Sequence, residues 1–343
     1  MHPRPGPLLL FIPLATVLAL GVVRCTPRPP LFSKGVQPIH NATMNGIAPS
    51  AKSCAQCHSE IYKTWSNSRH AASFRNPNFR HSVEESHVKG WCLNCHQPLR
   101  RLTNELGEAS DDGVSCAVCH IRNDTFLVSK PLSAKGREQH PASRVEATLN
   151  SSAFCAGCHQ FSGPTATHPI TYMGDPLQNT FNEWASSTDP QKHCQECHMP
   201  KGAHTFPGGH HIEMVNTALS VQHNAQSLTI STTTSVAHAV PTGDPFRRLE
   251  LRICGVSCST ILQRRTFGIV HTYINGTMRI TKDTRLQAPG QPGDRVSVPL
   301  PKGAKKWELY YFYADPRLHT KLPQDEVSVL LQSGTLESQF PIP

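Results

Sequence analysis

The chain has 343 residues, long enough for two domains, and its 38% hydrophobic and 7% aromatic content is thin for one large apolar core. A formal net charge of +9 would suit an anionic partner, but no basic run is interleaved with aromatic residues, and this excludes a nucleic-acid partner. The excess to be explained lies in 13 cysteines and 20 histidines.

Residues 1–25 have the order of a signal peptide or signal anchor: Arg4, then an apolar run from Pro7 to Val23 with small residues at Ala19 and Gly21. This predicts export to a periplasmic or extracellular location, with a membrane tether at the N-terminus if the segment is retained. Arg24 stands where lipid attachment at Cys25 would want a small residue. Beyond it no stretch approaches the ~20 apolar residues of a membrane span. Residues 26–50 are Pro-rich and weakly patterned, and read as a linker.

From residue 54 onward the pattern C-x-x-C-H occurs five times: Cys54/Cys57/His58, Cys92/Cys95/His96, Cys116/Cys119/His120, Cys155/Cys158/His159 and Cys194/Cys197/His198. Two thiols so spaced can form thioethers with the two vinyl groups of one porphyrin, while the adjacent imidazole ligates its iron. Zinc ribbons pair their C-x-x-C knuckles and would leave a remainder from five. A redox C-x-x-C occurs once, and structural disulfides need no histidine at a constant offset. The reading is five covalently bound haem c groups. Their propionates would cancel roughly half or more of the positive excess. Five cofactors within about 145 residues cannot share an ordinary side-chain core. Residues 51–215 are therefore predicted to be a mainly helical, loop-rich pentahaem domain.

An internal echo runs through this segment. Tyr62, Trp65 and Ser68 follow the first motif, and Phe181, Trp184 and Ser187 precede the last, both as aromatic-x-x-Trp-x-x-Ser. Aromatics at i and i+3 share a helix face, which predicts two amphipathic helices covering haem edges.

Past residue 220 the motifs stop. Runs rich in Val, Ile, Thr and Tyr follow, at Leu228–Val240, Arg248–Ile253, Thr266–Ile274, Met278–Thr284, Arg295–Pro299, Trp307–Tyr313 and Val327–Leu331, separated by turn residues. They predict an all-β, sandwich-like domain over residues 220–343, so the whole chain is α+β and multidomain. Cys254 and Cys258 lack a following histidine, and are either a short-range disulfide or two buried thiols.

A second axial ligand decides whether each iron is closed or open to substrate. Fourteen histidines remain once the motif residues and His2 are set aside. His70 is expected to ligate a neighbouring haem, because a helix over Ser59–Phe74 would place it about 18 Å along the axis from His58. His204 and His210 flank a Pro-Gly-Gly turn that lets backbone approach a flat ring. His87 and His168 lie close to motifs in sequence, and His238 would reach back from the β-domain. His40, His81, His140, His193, His223, His271 and His319 are read as ordinary polar or propionate-contacting residues.

Ser53-Cys54-Ala55-Gln56-Cys57-His58 followed by Ile61, Tyr62, Trp65, Ser68 and His70 resembles the multihaem cytochrome c family typified by the tetrahaem electron acceptor of hydroxylamine oxidoreductase. Gly113-Val114-Ser115-Cys116 and Cys194–Pro200 with His204–His210 are similar to the same group. The resemblance spans about residues 53–211. It implies a compact haem domain with stacked haem pairs, mostly bis-histidine iron and electron transfer to and from redox partner proteins. Five motifs here against four in the type member, and a β-rich tail without counterpart there, set this chain apart. The expected function is an exported pentahaem carrier in a respiratory chain, with assembly through the β-domain as an added role. The alternative is an oxidoreductase with one open haem acting on a small nitrogen or sulfur compound. The C-x-x-C-K variant found at some such active haems does not occur.

Overall fold

The computed structural model describes residues 39–84, 89–100, 112–164, 172–274 and 277–336. The expected signal segment and most of the linker lie outside them. Among the described residues no helix is long and apolar enough to cross a membrane.

The first half is built from short helices: α1 (Ala51–Ala55), α2 (Ser59–Ser66), α3 (Pro77–Glu84), α4 (Lys89–His96), α5 (Cys116–His120), α6 (Ala134–Gln139), α7 (Ser152–His159), α8 (Thr180–Ala185), α9 (Cys194–His198) and α10 (Ile212–Thr217). Four of these, α4, α5, α7 and α9, end on a motif histidine. The reason is local, since cysteines at i and i+3 fall on one face of a helical turn and the histidine extends it by one residue. Caps mark the starts. The Ser50 hydroxyl accepts from the Ser53 amide, and Glu196 accepts from the His193 amide at 2.8 Å in a capping box. The helix expected over Ser59–Phe74 stops at Ser66, and His70 stands in the turn beyond it. A small sheet of β1 (Ile121–Arg122), β2 (Thr125–Val128) and β3 (Ser143–Val145), and a hairpin of β4 (Phe161–Pro164) and β5 (Tyr172–Gln178), complete this half. Its apolar clusters are small, one around Ile39, Leu99, Val118 and Ile121 and another of Ala51, Trp65 and Ala71.

The second half has a normal core. Strands β6 (Leu219–His223), β7 (Ser227–Thr232) and β11 (Arg295–Pro299) form one antiparallel sheet in the order β11-β7-β6. Strands β8 (Arg248–Cys254), β9 (Ile261–Ile274), β10 (Thr277–Asp283), β12 (Lys306–Phe312) and β13 (Ser328–Thr335) form another, ordered β10-β9-β8-β12-β13. Alternate residues Leu249, Leu251 and Ile253, and Trp307, Leu309 and Tyr311, meet Leu228, Ile230, Phe267 and Leu331 between the sheets. This is the sandwich expected. Each predicted run overlaps one of the strands β7 to β13, and β9 and β13 extend well beyond theirs. The first ends at Thr232 rather than Val240, and β6 lies ahead of all of them. Cys254 and Cys258 form a disulfide across the β8–β9 turn, which settles the choice left open by their spacing.

Hydrogen bonds join the halves along a seam. Glu183 of α8 accepts from Arg285 and from Thr242, both at 2.7 Å, and Arg285 also bonds Asp283. Arg69 and Asn76 both bond Glu326 at 2.9 Å, Asn78 donates to the Tyr313 carbonyl, and Asp175 accepts from the Ile280 amide.

Candidate haem-binding centre

A connected cavity of about 2520 Å³ runs through the first half and against the sandwich. Pockets for one small ligand hold roughly 300–1,000 Å³, so this space fits several. All ten motif cysteines and all five motif histidines line it, with His70, His140, His204, His210 and His238. His70, His96 and His159 are enclosed by protein yet keep accessible surface, which therefore faces the cavity. Burial lowers their pKa, to about 3 for His70 and about 4 for the other two. Neutral imidazoles with a free lone pair are what a metal requires.

Four motif histidines face a second imidazole. His58 faces His140 with ring centroids 6.0 Å apart and planes 12° from parallel, and His198 faces His238 at 6.2 Å and 14°. His70 stands opposite His159 at 6.3 Å and 40°, and His120 opposite His204 at 6.2 Å and 39°. Two metal–nitrogen bonds of about 2 Å, extended by a ring radius of about 1.1 Å at each end, span about 6 Å. Among the described residues no three or more His, Cys, Asp or Glu side chains converge on one point. The rings meet in twos, as a metal already held in a planar macrocycle needs.

The other ring nitrogen is tied back. Nδ1 of His120 donates to the Leu127 carbonyl at 2.9 Å, that of His96 to Ser73 at 3.1 Å and that of His198 to Pro207. On the opposing side His204 donates to Gly202 at 3.1 Å and His238 to Ala239 at 3.0 Å. A proton fixed on Nδ1 leaves Nε2 as the acceptor and holds the ring's orientation.

His96 differs. Phe79 stacks on its face at 3.8 Å and 5°, and among the described residues no imidazole opposes it. His210 stacks on Tyr313 at 3.8 Å, bonds Arg69, and faces no motif histidine. His87 and His168 lie outside the described residues. His140, read from the sequence as an ordinary polar or propionate-contacting residue, has its ring facing that of His58. It follows α6 in Gln139-His140-Pro141, and nothing in that stretch marks it, because its partner His58 is far away along the chain.

The motifs also touch one another. The thiols of Cys54 and Cys116 lie against each other, as do those of Cys95 and Cys158 and those of Cys155 and Cys194. The first motif thus lies against the third, the second against the fourth and the fourth against the fifth. The Trp echo belongs to this arrangement. Trp65 Nε1 donates to the Val114 carbonyl at 2.9 Å and Trp184 Nε1 to the Lys192 carbonyl at 2.8 Å. Each acceptor lies two residues before a motif, the third and the fifth. Tyr62–Trp65 and Phe181–Trp184 repeat the same ring geometry, 5.6 Å and 44° against 5.4 Å and 42°. Gly113, at φ +60°, lets the chain ahead of the third motif pass His70: a Cβ there would lie 2.6 Å from the His70 carbonyl, which accepts from the Val114 amide.

Residues 53–121 match the family model described as cytochrome c554 and c-prime. The fold resembles the crystal structure of a penta-heme cytochrome c552 from Thermochromatium tepidum, with a TM-score of 0.65 and 22% identity over 88% of this chain and 100% of that one. No curated protein matches the sequence. Motifs, cavity and fold are together similar to those of a multihaem cytochrome c with covalently attached haem. The family match, to cytochrome c554 and c-prime, covers the whole of the first, second and third motifs and ends at residue 121.

Proposed function

We propose that the chain is an exported pentahaem electron carrier serving redox partner proteins in a respiratory chain, with four of its haems held between two histidines. The observation that carries this reading is the set of four opposed imidazole pairs, each with one motif histidine. Bound haem supplies reversible one-electron chemistry. The chain contributes the rest. Thioether formation at the five cysteine pairs would fix each ring's plane, and the Nδ1 bonds to carbonyls hold the ligands and raise their basicity. The thiol contacts support a first site beside the third, and a fourth site beside both the second and the fifth. His204 and His238 reach the third and fifth sites from the segment after the last motif and from the sandwich, so ligation ties distant stretches together.

A second reading, an oxidoreductase acting on a small nitrogen or sulfur compound, is favoured by His96, which no described imidazole opposes. The optical spectrum of the fully reduced protein before and after carbon monoxide separates the two. An unchanged spectrum means that every iron is closed and sustains the carrier. A shift worth about one haem in five opens a substrate position at the second motif. The mass excess of the mature protein counts the haems and locates the signal cleavage.

A further inference from the structure

We propose that Arg247, with Tyr311 beside it, forms an anion-receptor site through which the sandwich grips a planar two-oxygen anion inside the haem cavity. The inference rests on the haem reading of that cavity and concerns a residue to which the ligation scheme gives no role.

Arg247 immediately precedes β8 and lines the cavity together with Tyr311, Tyr313 and His210. Its guanidinium is enclosed by protein, yet the residue keeps accessible surface, so its open side faces the interior space. Nη1 donates to the Thr242 carbonyl at 3.4 Å, and the Tyr311 side chain lies beside the guanidinium. Among the described residues no carboxylate forms an ion pair with it, in contrast to Arg285, which has two. Burial works against the Arg247 charge, but Tyr311 and Asp244 outweigh it and raise its pKa, so the guanidinium stays cationic; Asp244 is only a weak counter-charge, since one of its oxygens is taken by the Phe246 amide at 2.8 Å and burial raises its own pKa.

The backbone makes room at this spot. Gly243 passes beneath the guanidinium at φ +84°, where a Cβ would lie 3.4 Å from Nη1. Gly209 meets the Tyr311 hydroxyl so closely that a Cβ would lie 2.8 Å from it. A guanidinium removed from water without a paired charge is strongly unfavourable, and its planar fork is matched to a carboxylate or small oxyanion. Arg247 lines the same cavity as His96 and His159, so an anion held there would share that space with the second and fourth motifs. Two sources share the required chemistry: a haem propionate, and a diffusible planar oxyanion such as nitrite.

The test is a spectroelectrochemical titration of the haem-loaded protein and of its Arg247→Gln and Arg247→Lys variants, with and without added nitrite. If a propionate is held, Arg247→Gln lowers the potential of one or two haems, Arg247→Lys lowers it less, and added anion changes nothing. If a diffusible anion is held, the wild-type curve shifts saturably with anion, and the shift is weakened in Arg247→Lys and lost in Arg247→Gln. Curves for Arg247→Gln superimposable on the wild type in both conditions overturn the proposal. Should Arg247→Gln fail to accumulate with haem, Tyr311→Phe carries the test, and superimposable curves again overturn it. A wild-type haem content below five per chain would instead count against the haem reading on which the proposal rests.

Discussion

His58 and His140 meet across the cavity although nothing adjacent in sequence relates them, and the same is true of His120 with His204. Replacing His140 with Ala is expected to open one iron, adding about one haem equivalent of carbon monoxide binding and of high-spin signal in electron paramagnetic resonance. His210→Ala should leave both unchanged, because that ring packs on Tyr313. Equal responses in the two variants would mean that the opposed pairs do not mark the ligands. The motif half of each pair was legible because covalent attachment demands a fixed local spacing. Of the opposing rings, His70, His204 and His238 were candidates in the sequence, whereas His140 was not, because only the folded chain brings it near His58. Glu146 makes a separate prediction at this scale. Burial would raise its pKa, but hydrogen bonds from Thr148 at 2.8 Å and Arg144 at 2.6 Å outweigh that and leave it lowered. A depressed carboxylate stabilises the fold fully above its unfolded value and loses that contribution as pH falls through its folded one, in a window below about pH 4. Glu146→Gln should therefore destabilise at pH 7, by less than about 1 kcal/mol because Arg144 is solvent-screened, and the gap from wild type should narrow toward pH 3 in denaturant titrations.

At the scale of elements, α2 and α8 do one job twice: each sends an indole to the carbonyl two residues ahead of a motif. Trp65 is buried and Trp184 is only partly so. Trp65→Phe would strand a partly buried carbonyl, at a cost of about 1–3 kcal/mol, whereas Trp184→Phe should cost no more than the net value of an exposed hydrogen bond, about 1 kcal/mol. Thermal melts followed in the Soret band would rank them, and the reverse order would show that the shared aromatic pattern is not a shared clamp. The pattern itself was legible in sequence, but its acceptors were not. Strands β7 to β13 could be read because a two-sided sheet alternates Val, Ile and Thr with polar residues. The run from Leu228 was overextended because Ser235–Val240 has similar composition, but there the chain leaves the sheet and carries His238 to the cavity. The Cys254–Cys258 bridge closes a very short loop, so the double serine variant should lose only about 2 kcal/mol and keep its haem spectrum.

For the whole molecule the decisive question is whether the haem-lined half and the sandwich fold as one body. Composition argues for two units, since one half is poor in apolar side chains and the other has a complete core. The seam argues for coupling. Arg285 and Glu183 are both 7% exposed in their side chains, and the loop that carries His238 opposite His198 springs from the sandwich. Breaking a buried pair by removing one partner costs about 3–5 kcal/mol, because the other charge is left without compensation. Asp283 remains beside Arg285 in Glu183→Ala, which places the expected loss near the lower end, about 3 kcal/mol. If His238 closes the fifth iron, the sandwich cannot unfold without changing that iron's coordination. Circular dichroism in the Soret region and hydrogen exchange of the β8 and β12 amides should then fall together in Glu183→Ala as denaturant rises. Amides that stay protected after the Soret signal is lost would show a sandwich that stands alone. In that case His238 would contribute to ligation without depending on it, and the seam would be a contact between two independent folds.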